Sequence, residues 1–286
     1  MSDEYLYLWF GMISRLTHTV KMKIAMKYGG IRGLWGVPEN ILKEELTDIQ
    51  AGAILEHRCE NDILEYENRL KERKIKYIYP GHECYPDRLY DIPDPPMLLF
   101  AVGDIDVLKC HVPTVAVVGA RKASLYGRSV ADRIASDMVR AGVTVVSGMA
   151  LGIDGVAHRA ALREKGQTIA VLGCGINVPY PRENYDIYHD IGVSGGVILS
   201  ENGLDVQPEA FRFPYRNRII SGLSDGVLVV EARKRSGSLI TADQALEQGR
   251  DVYAVPGKIT DAASEGCNNL IRMGAVCVTS GADILD

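Results

Sequence analysis

Apolar and polar positions follow two different rhythms along the chain, and the change falls near Pro113. Beyond it come six short, unbroken apolar runs: 115–118, 143–146, 169–172, 197–199, 227–230 and 252–255, each dominated by Val, Ile, Leu and Ala. A run of this kind, without polar alternation, suits a strand buried on both faces of a parallel sheet. The stretches between the runs, such as 127–140 and 153–165, are amphipathic and long enough for helices. Alternating strands and helices predict an α/β fold, a doubly wound and mostly parallel sheet, over residues 113–286.

Before Pro113 the pattern differs. From Tyr5 to about Arg73 it predicts short helices and no convincing strand, interrupted by Tyr28-Gly29-Gly30, Gly33, Gly36 and Pro38. We expect a small N-terminal helical domain over residues 1–75. Residues 76–112 are punctuated by Pro80, Pro86, Pro93, Pro95 and Pro96 around short extended pieces such as 97–102. They read as a linker that packs on the domain after it.

Composition narrows the class. Hydrophobic residues make up 47% of the chain and charged residues 24%, a globular profile without disordered bias. The apolar start from Tyr5 to Phe10 has no basic region before it and no small-residue cleavage site behind it, so it is not a signal peptide. No run approaches the ~18 apolar residues of a membrane span, and a cytoplasmic protein without membrane insertion is expected. The six cysteines, Cys59, Cys84, Cys110, Cys174, Cys267 and Cys277, form no C-x-x-C pair. Neither zinc spacing nor a dithiol motif is present, and reduced, mostly buried thiols are expected. The net charge of −5 argues mildly against a general nucleic-acid binder. A local basic cluster can overrule that average.

Such clusters stand in the predicted strand-to-helix loops, where open parallel sheets bind ligands. The first strand runs into Gly119-Ala120-Arg121-Lys122-Ala123-Ser124, a cation and a hydroxyl at a helix N-terminus, where free N–H groups and the dipole attract anions. The second gives Ser147-Gly148-Met149-Ala150-Leu151-Gly152-Ile153-Asp154, and the third Gly173-Cys174-Gly175, with room for close approach of a ligand. After the fifth come Arg233, Lys234 and Arg235, then Ser236-Gly237-Ser238 with a plausible helix cap. Just before that strand, Phe211-Arg212-Phe213-Pro214-Tyr215-Arg216-Asn217-Arg218 interleaves rings with cationic and amide groups, the chemistry of single-strand binding.

Each signal has a plainer alternative. The glycines serve equally as tight-turn residues, Arg216 and Arg218 as structural ion-pair residues, and Arg233, Lys234 and Arg235 as a solvated loop. Asp154 reads as the cap of the second helix, and His158 as a packed residue rather than a base. No phosphate-binding G-x-x-x-x-G-K-[ST] loop, H-E-x-x-H, nucleophile elbow or deaminase signature occurs. Gly119-Ala120-Arg121 does not match G-x-G-x-x-G either, so no catalytic residue, metal or cofactor is expected.

Taken together the loops resemble the DNA-processing protein A family (DprA, also called Smf). The match runs through Val117-Val118-Gly119-Ala120-Arg121 with Ser124-x-Tyr126-Gly127, Ser147-Gly148-x-Ala150-x-Gly152-Ile153-Asp154-x-x-Ala157-His158, and Ala170-Val171-Leu172-Gly173-x-Gly175 with Tyr180-Pro181. It continues through Phe213-Pro214-x-Arg216-Asn217-Arg218-Ile219-Ile220-Ser221-Gly222, Glu231-Ala232, Ser236-Gly237-Ser238, Pro256-Gly257 and Ser264-x-Gly266-x-Asn268. The resemblance spans about 113–275 and implies a Rossmann-like fold that binds single-stranded DNA, self-associates as a homodimer and loads the RecA recombinase during natural transformation, with no reaction catalysed. It assigns DNA contacts to Gly119, Arg121, Lys122, Ser124, Gly148, Phe213, Arg216, Asn217, Arg218, Ser236, Gly237 and Ser238. It also implies that the helical beginning is similar to a sterile-alpha-motif or helix-hairpin-helix module. Two departures stand out: Ala120 replaces the family's usual serine, and the winged-helix domain that many members carry after the Rossmann-like part is not expected in a chain ending at Asp286. The alternative readings are a Rossmann-like phosphoribohydrolase acting on nucleoside monophosphates and a nucleotide-sensing protein. The hydrolase's P-G-G-x-G-T-x-x-E loop is not matched by Pro256-Gly257-Lys258-Ile259-Thr260-Asp261.

Overall fold

The computed structural model describes residues 1–13, 15–109, 112–193 and 196–285. Cys110 and Asp286, which figured in the sequence reading, lie outside the described residues. The chain opens with helices α1 (Asp3–Met12), α2 (His18–Lys27), α3 (Ile31–Gly36), α4 (Glu39–Glu45), α5 (Asp48–Leu55) and α6 (Glu60–Glu72). Their starts follow local chemistry. Thr17 Oγ1 accepts from Val20 N ahead of α2, and Thr47 with Gln50 closes a capping box on α5.

A nine-stranded sheet follows, built from β1 (Lys76–Ile78), β2 (Leu99–Gly103), β3 (Thr114–Val118), β4 (Thr144–Ser147), β5 (Thr168–Leu172), β6 (Val197–Ser200), β7 (Gly226–Val229), β8 (Asp251–Ala254) and β9 (Val276–Cys277). Their spatial order is β1-β2-β6-β5-β4-β3-β7-β8-β9. From β6 to β9 every pairing is parallel, while β1 pairs with β2 and β2 with β6 antiparallel. All six apolar runs are strands of this sheet. Residues 76–112, read from sequence as a linker, carry β1 and β2 and so extend it.

The intervening helices are α7 (Leu125–Arg140), α8 (Ile153–Arg163), α9 (Tyr185–Val193), α10 (Arg212–Gly222), α11 (Gly237–Glu247), α12 (Glu265–Arg272) and α13 (Ala282–Leu285). Alternate residues of one strand serve opposite faces, as strand geometry dictates. Val115 and Val117 pack with Ile134 and Met138 of α7 and with α8, whereas Ala116 and Val118 pack with Ile219 and Ile220 of α10 and with α11. The sheet is therefore covered on both sides, in a Rossmann-like three-layer arrangement.

The N-terminal helices do not stand apart. Leu8, Trp9, Phe10 and Leu70 share one apolar cluster with Phe100, Ala170, Leu172 and Ile198 of the sheet. Polar contacts reinforce the join: Leu204 N donates to Tyr66 Oη at 2.8 Å, and Arg69 pairs with Asp205 at 2.8 Å. Cys84, Cys174 and Cys267 are buried free thiols, while Cys59 and Cys277 are exposed. Burial pushes the Cys174 thiol up to about 11 and that of Cys267 up to about 12, so both stay protonated near neutrality.

Candidate nucleic-acid interface

In this strand order β3 is flanked by β4 on one side and β7 on the other, so the chain winds away from β3 in both directions. That is a topological switch point, where the loops at the carboxyl ends of two neighbouring strands part and leave a crevice. A cleft of about 540 Å³ opens there. The loop after β3 supplies Gly119, Ala120, Arg121 and Lys122, the loop after β7 supplies Arg233, Arg235 and Ser236, and the first turn of α11 supplies Gly237 and Ser238. Phe213, Pro214, Arg216 and Asn217 from the start of α10 form the facing wall.

The cleft's charge is uneven. Arg121, Lys122, Arg233 and Arg235 are exposed, and among the described residues none of them forms an ion pair. Lys234, between two of them, instead lies 3.7 Å from Glu265. Helix α11 starts without a side-chain cap, since the Ser236 hydroxyl is 2.8 Å from that of Ser238 rather than on the backbone. Uncapped first-turn N–H groups add to the anion-attracting character of the loop.

The two carboxylates in the wall are both engaged. Glu231 accepts from Ser124 N and Ser124 Oγ, each at 3.0 Å. Asp154 accepts from Gly148 N at 3.1 Å and Ala150 N at 3.4 Å. It lies in the first turn of α8 but braces the loop before the helix; Gly152 is the N-cap and no side chain caps it. The sequence reading of Asp154 as a helix cap is corrected accordingly. Burial pushes its carboxyl up, and Arg216 with the two backbone N–H groups opposes that push.

Over this floor lies a stack of flat groups. The Arg121 guanidinium sits 5.3 Å from the centroid of the Phe213 ring, and the Tyr180 ring lies 5.7 Å from Phe213 on a tilt of 39°. Phe213 can take this seat because Gly173 lacks a side chain: a Cβ there would come 2.8 Å from the ring. A partly exposed ring next to an unpaired guanidinium offers base stacking and phosphate pairing in one place.

The residues assigned to DNA contact from sequence thus fall into separate groups. Gly119, Arg121, Lys122, Phe213, Asn217, Ser236, Gly237 and Ser238 come together around the cleft. Ser124 sits behind it as the N-cap of α7, its oxygen accepting from Gly127 N at 3.0 Å and its hydroxyl spent on Glu231. Gly148 is buried, and a Cβ on it would meet Arg216 Nη2 at 2.7 Å and Asp154 Oδ2 at 2.9 Å, so its smallness leaves room for these two buried side chains.

The two arginines of α10 are not free cations. Arg216 is 6% exposed, and its Nη1 donates to Gly148 O at 2.8 Å and also to Val171 O. Burial pulls its guanidinium down to about 10, against the pull of Asp154, and it stays charged at neutral pH. Arg218 is 5% exposed and points elsewhere, with Nη2 2.7 Å from Glu201, Nε donating to Asp94 O at 2.8 Å, and its guanidinium 4.0 Å from the Tyr215 ring. The structural reading of Arg218 holds, and it contributes nothing to the cleft surface.

The sequence reading missed Tyr180 as a ring, and it named the basic cluster Arg233 to Arg235, with a solvated loop as the alternative, without counting Arg233 and Arg235 among the DNA contacts. His158 is fully buried, with Nδ1 2.8 Å from Thr168 Oγ1, and burial pulls its imidazole down to about 3. It is structural, as read. Among the described residues no group of His, Cys, Asp and Glu could hold a metal ion, and no helix is long and apolar enough to cross a membrane.

Residues 76–286 match the sequence profile of the family described as DNA recombination-mediator protein A. The DNA processing protein DprA of Streptococcus pneumoniae is 49% identical over 203 residues, which cover 71% of this chain and 71% of that protein. Protein Smf of Escherichia coli is 50% identical over 216 residues, 75% of this chain and 57% of its own length. Of solved structures, that of DprA from Streptococcus pneumoniae superposes with a TM-score of 0.81 at 37% identity, covering 100% of this chain and 97% of that one. DNA processing protein A from Helicobacter pylori, whose structure is described in terms of its single-stranded DNA binding mode, superposes with a TM-score of 0.67 at 29% identity, over 74% of this chain and 94% of that one. On the sequence match over most of its length and on these likenesses, the chain belongs to the DNA recombination-mediator protein A family.

Proposed function

We propose that the chain binds single-stranded DNA in the cleft between the β3 and β7 loops and, as a cytoplasmic homodimer, loads a RecA recombinase onto it, as in natural transformation and recombination. It catalyses no reaction and uses no cofactor. The observation that carries this reading is the set of unpaired cations, Arg121, Lys122, Arg233 and Arg235, around the Arg121–Phe213–Tyr180 stack. Phosphates pair with the cations while bases stack on the rings, a mode that tolerates any sequence and excludes a duplex whose bases are already stacked.

The non-enzymatic part rests on the carboxylates. Both acidic residues that line the cleft are consumed by structural hydrogen bonds, Glu231 on Ser124 and Asp154 on the Gly148–Ala150 loop, which leaves neither free as the base that hydrolysis of a nucleotide requires. Support for self-association comes from the sheet edge: β9 is terminal, with Val276 and the neighbouring Met273 exposed. An open apolar edge is a surface that a second copy can cover.

The test is fluorescence anisotropy of a labelled homopyrimidine oligonucleotide and of its duplex at two salt concentrations. Tight, salt-sensitive, single-strand-selective binding is expected. Binding of a mononucleotide with none of the oligonucleotide would overturn the reading in favour of a nucleotide sensor.

A further inference from the structure

A second cavity, of about 260 Å³, opens on the other side of the first turn of α10. Phe213, Pro214 and Asn217 face the DNA cleft, whereas Phe211, Arg212 and Tyr215 face this cavity, and Arg216 forms a wall of both. Its remaining walls come from the sheet, through Leu172 and the loop after β6, and from the N-terminal helices, through the connection between α1 and α2 and through Lys21.

Most of the charges around it are already paired, and Lys21, which has no ion pair among the described residues, is spent on a backbone carbonyl. Arg212 Nη1 donates to Asn202 Oδ1 at 2.7 Å and its Nη2 pairs with Glu209 at 2.8 Å. Glu201 pairs with Arg218 at 2.7 Å and lies 3.2 Å from His18. Lys21 Nζ donates to Phe10 O at 3.0 Å, and burial pulls its ammonium down to about 8. A phosphate gains little here. Apolar walls with a few fixed polar groups suit instead a neutral, flat ligand with hydrogen-bonding edges.

Phe211 supplies the entrance. Its ring is 56% exposed, and the Arg212 guanidinium lies 4.9 Å from its centroid, so a ring and a guanidinium stand at the mouth of this cavity just as Phe213 and Arg121 stand at the cleft. A large ring left in water at the start of a helix, two positions before the partly buried Phe213 ring, marks a path for successive bases across the helix end.

We propose that this cavity receives one nucleobase of the strand held in the main cleft, guided by Phe211, so that the N-terminal helices take part in DNA binding. This rests on the single-strand reading of the cleft. The test is anisotropy of the full chain with two homothymidine oligomers, a short one that fills the main cleft and one several nucleotides longer. A single abasic position is also walked along the longer oligomer. We expect one position beyond the short footprint at which loss of the base weakens wild-type binding by about five- to a hundredfold. Phe211→Ala should abolish that sensitivity and weaken the longer oligomer by a similar factor while leaving the short one unchanged. Equal effects of Phe211→Ala on both lengths, or no sensitive abasic position, would overturn the proposal and leave the main cleft standing. Failure of the wild type to bind either oligomer would overturn both.

Discussion

Replacing Arg216 by methionine separates a structural arginine from a phosphate ligand. In the folded protein this guanidinium bridges Gly148 O and Val171 O and faces Asp154 across the space that Gly148 keeps open. Methionine fills a similar volume but leaves two carbonyls without a donor and removes the cation whose field opposes the effect of burial on Asp154. A buried acceptor left without its donor costs about 1 to 3 kcal/mol, so the two carbonyls together with the lost attraction to Asp154 make about 3 to 5 kcal/mol the expected loss. For a domain of this size that corresponds to a fall in Tm of about 6 to 20 °C. Oligonucleotide affinity, measured well below the new Tm, should fall less than about tenfold, since Arg216 offers little surface to a phosphate. Adding Asp154→Asn should restore part of the loss: the amide oxygen still accepts from the two backbone N–H groups but carries no charge, and a coupling of about 0.5 to 2 kcal/mol is expected from the double-mutant cycle. The pH dependence carries the same sign. Without Arg216 the folded-state carboxyl of Asp154 rises further above its unfolded value, so the folded state gains protons relative to the unfolded one and the deficit shrinks as pH falls. An Arg216→Met variant with unchanged Tm, a large loss of affinity and a shallower salt dependence would refute this reasoning and return Arg216 to the DNA-contact set.

Arg121→Ala removes an exposed, unpaired cation and should leave stability within about 0.5 kcal/mol of wild type while flattening the log-log salt dependence of single-strand binding by about 0.7 per lost phosphate contact; titrations at several salt concentrations read this directly. His158 predicts an acid-side weakness. Its folded-state value is depressed to about 3, so it contributes stability above the unfolded value of about 6.5 and loses about 1.4 kcal/mol per pH unit on the way down; urea unfolding at pH 7 and pH 5 should show a shallower loss in His158→Leu than in the wild type.

How far the sequence reveals the fold depends on how local the determining interaction is. The six central strands were legible because burial on both faces writes an unbroken apolar run into the chain. The outer strands were not. β1 is three residues with an exposed lysine at its start, and β9 is two exposed residues, so neither carries a period that a pattern can register. β2 escapes in a different way: its residues read as extended, but the partner that joins it to the main sheet is Val197–Ser200, far along the chain, and nothing local announces that antiparallel pairing.

The site follows the same rule, and the arginines of α10 make it concrete. Arg216 and Arg218 stand two apart in a ring-rich segment, a pattern that reads equally well as a DNA grip and as structural ion pairs. Two residues along a helix turn the side chain by roughly 200°, so the two cannot serve one ligand on one face. What each does is decided by residues the segment does not contain: Asp154 and the backbone carbonyls of Gly148 and Val171 for one, Glu201 and Asp94 for the other. Both arginines answer charges and carbonyls that would otherwise be buried unpaired, which is a demand of the fold. Arg121, Lys122, Arg233 and Arg235 meet no such demand: among the described residues they have no carboxylate to answer and remain at the surface beside a switch-point crevice. The distinction that matters for function is therefore whether a cation is already paired within the fold, and composition, which counts all arginines alike, cannot make it. An acidic protein can carry a basic cleft because net charge is an average over the whole surface, whereas Arg121, Lys122, Arg233 and Arg235, exposed and without an ion pair among the described residues, stand together at the carboxyl ends of two adjacent strands.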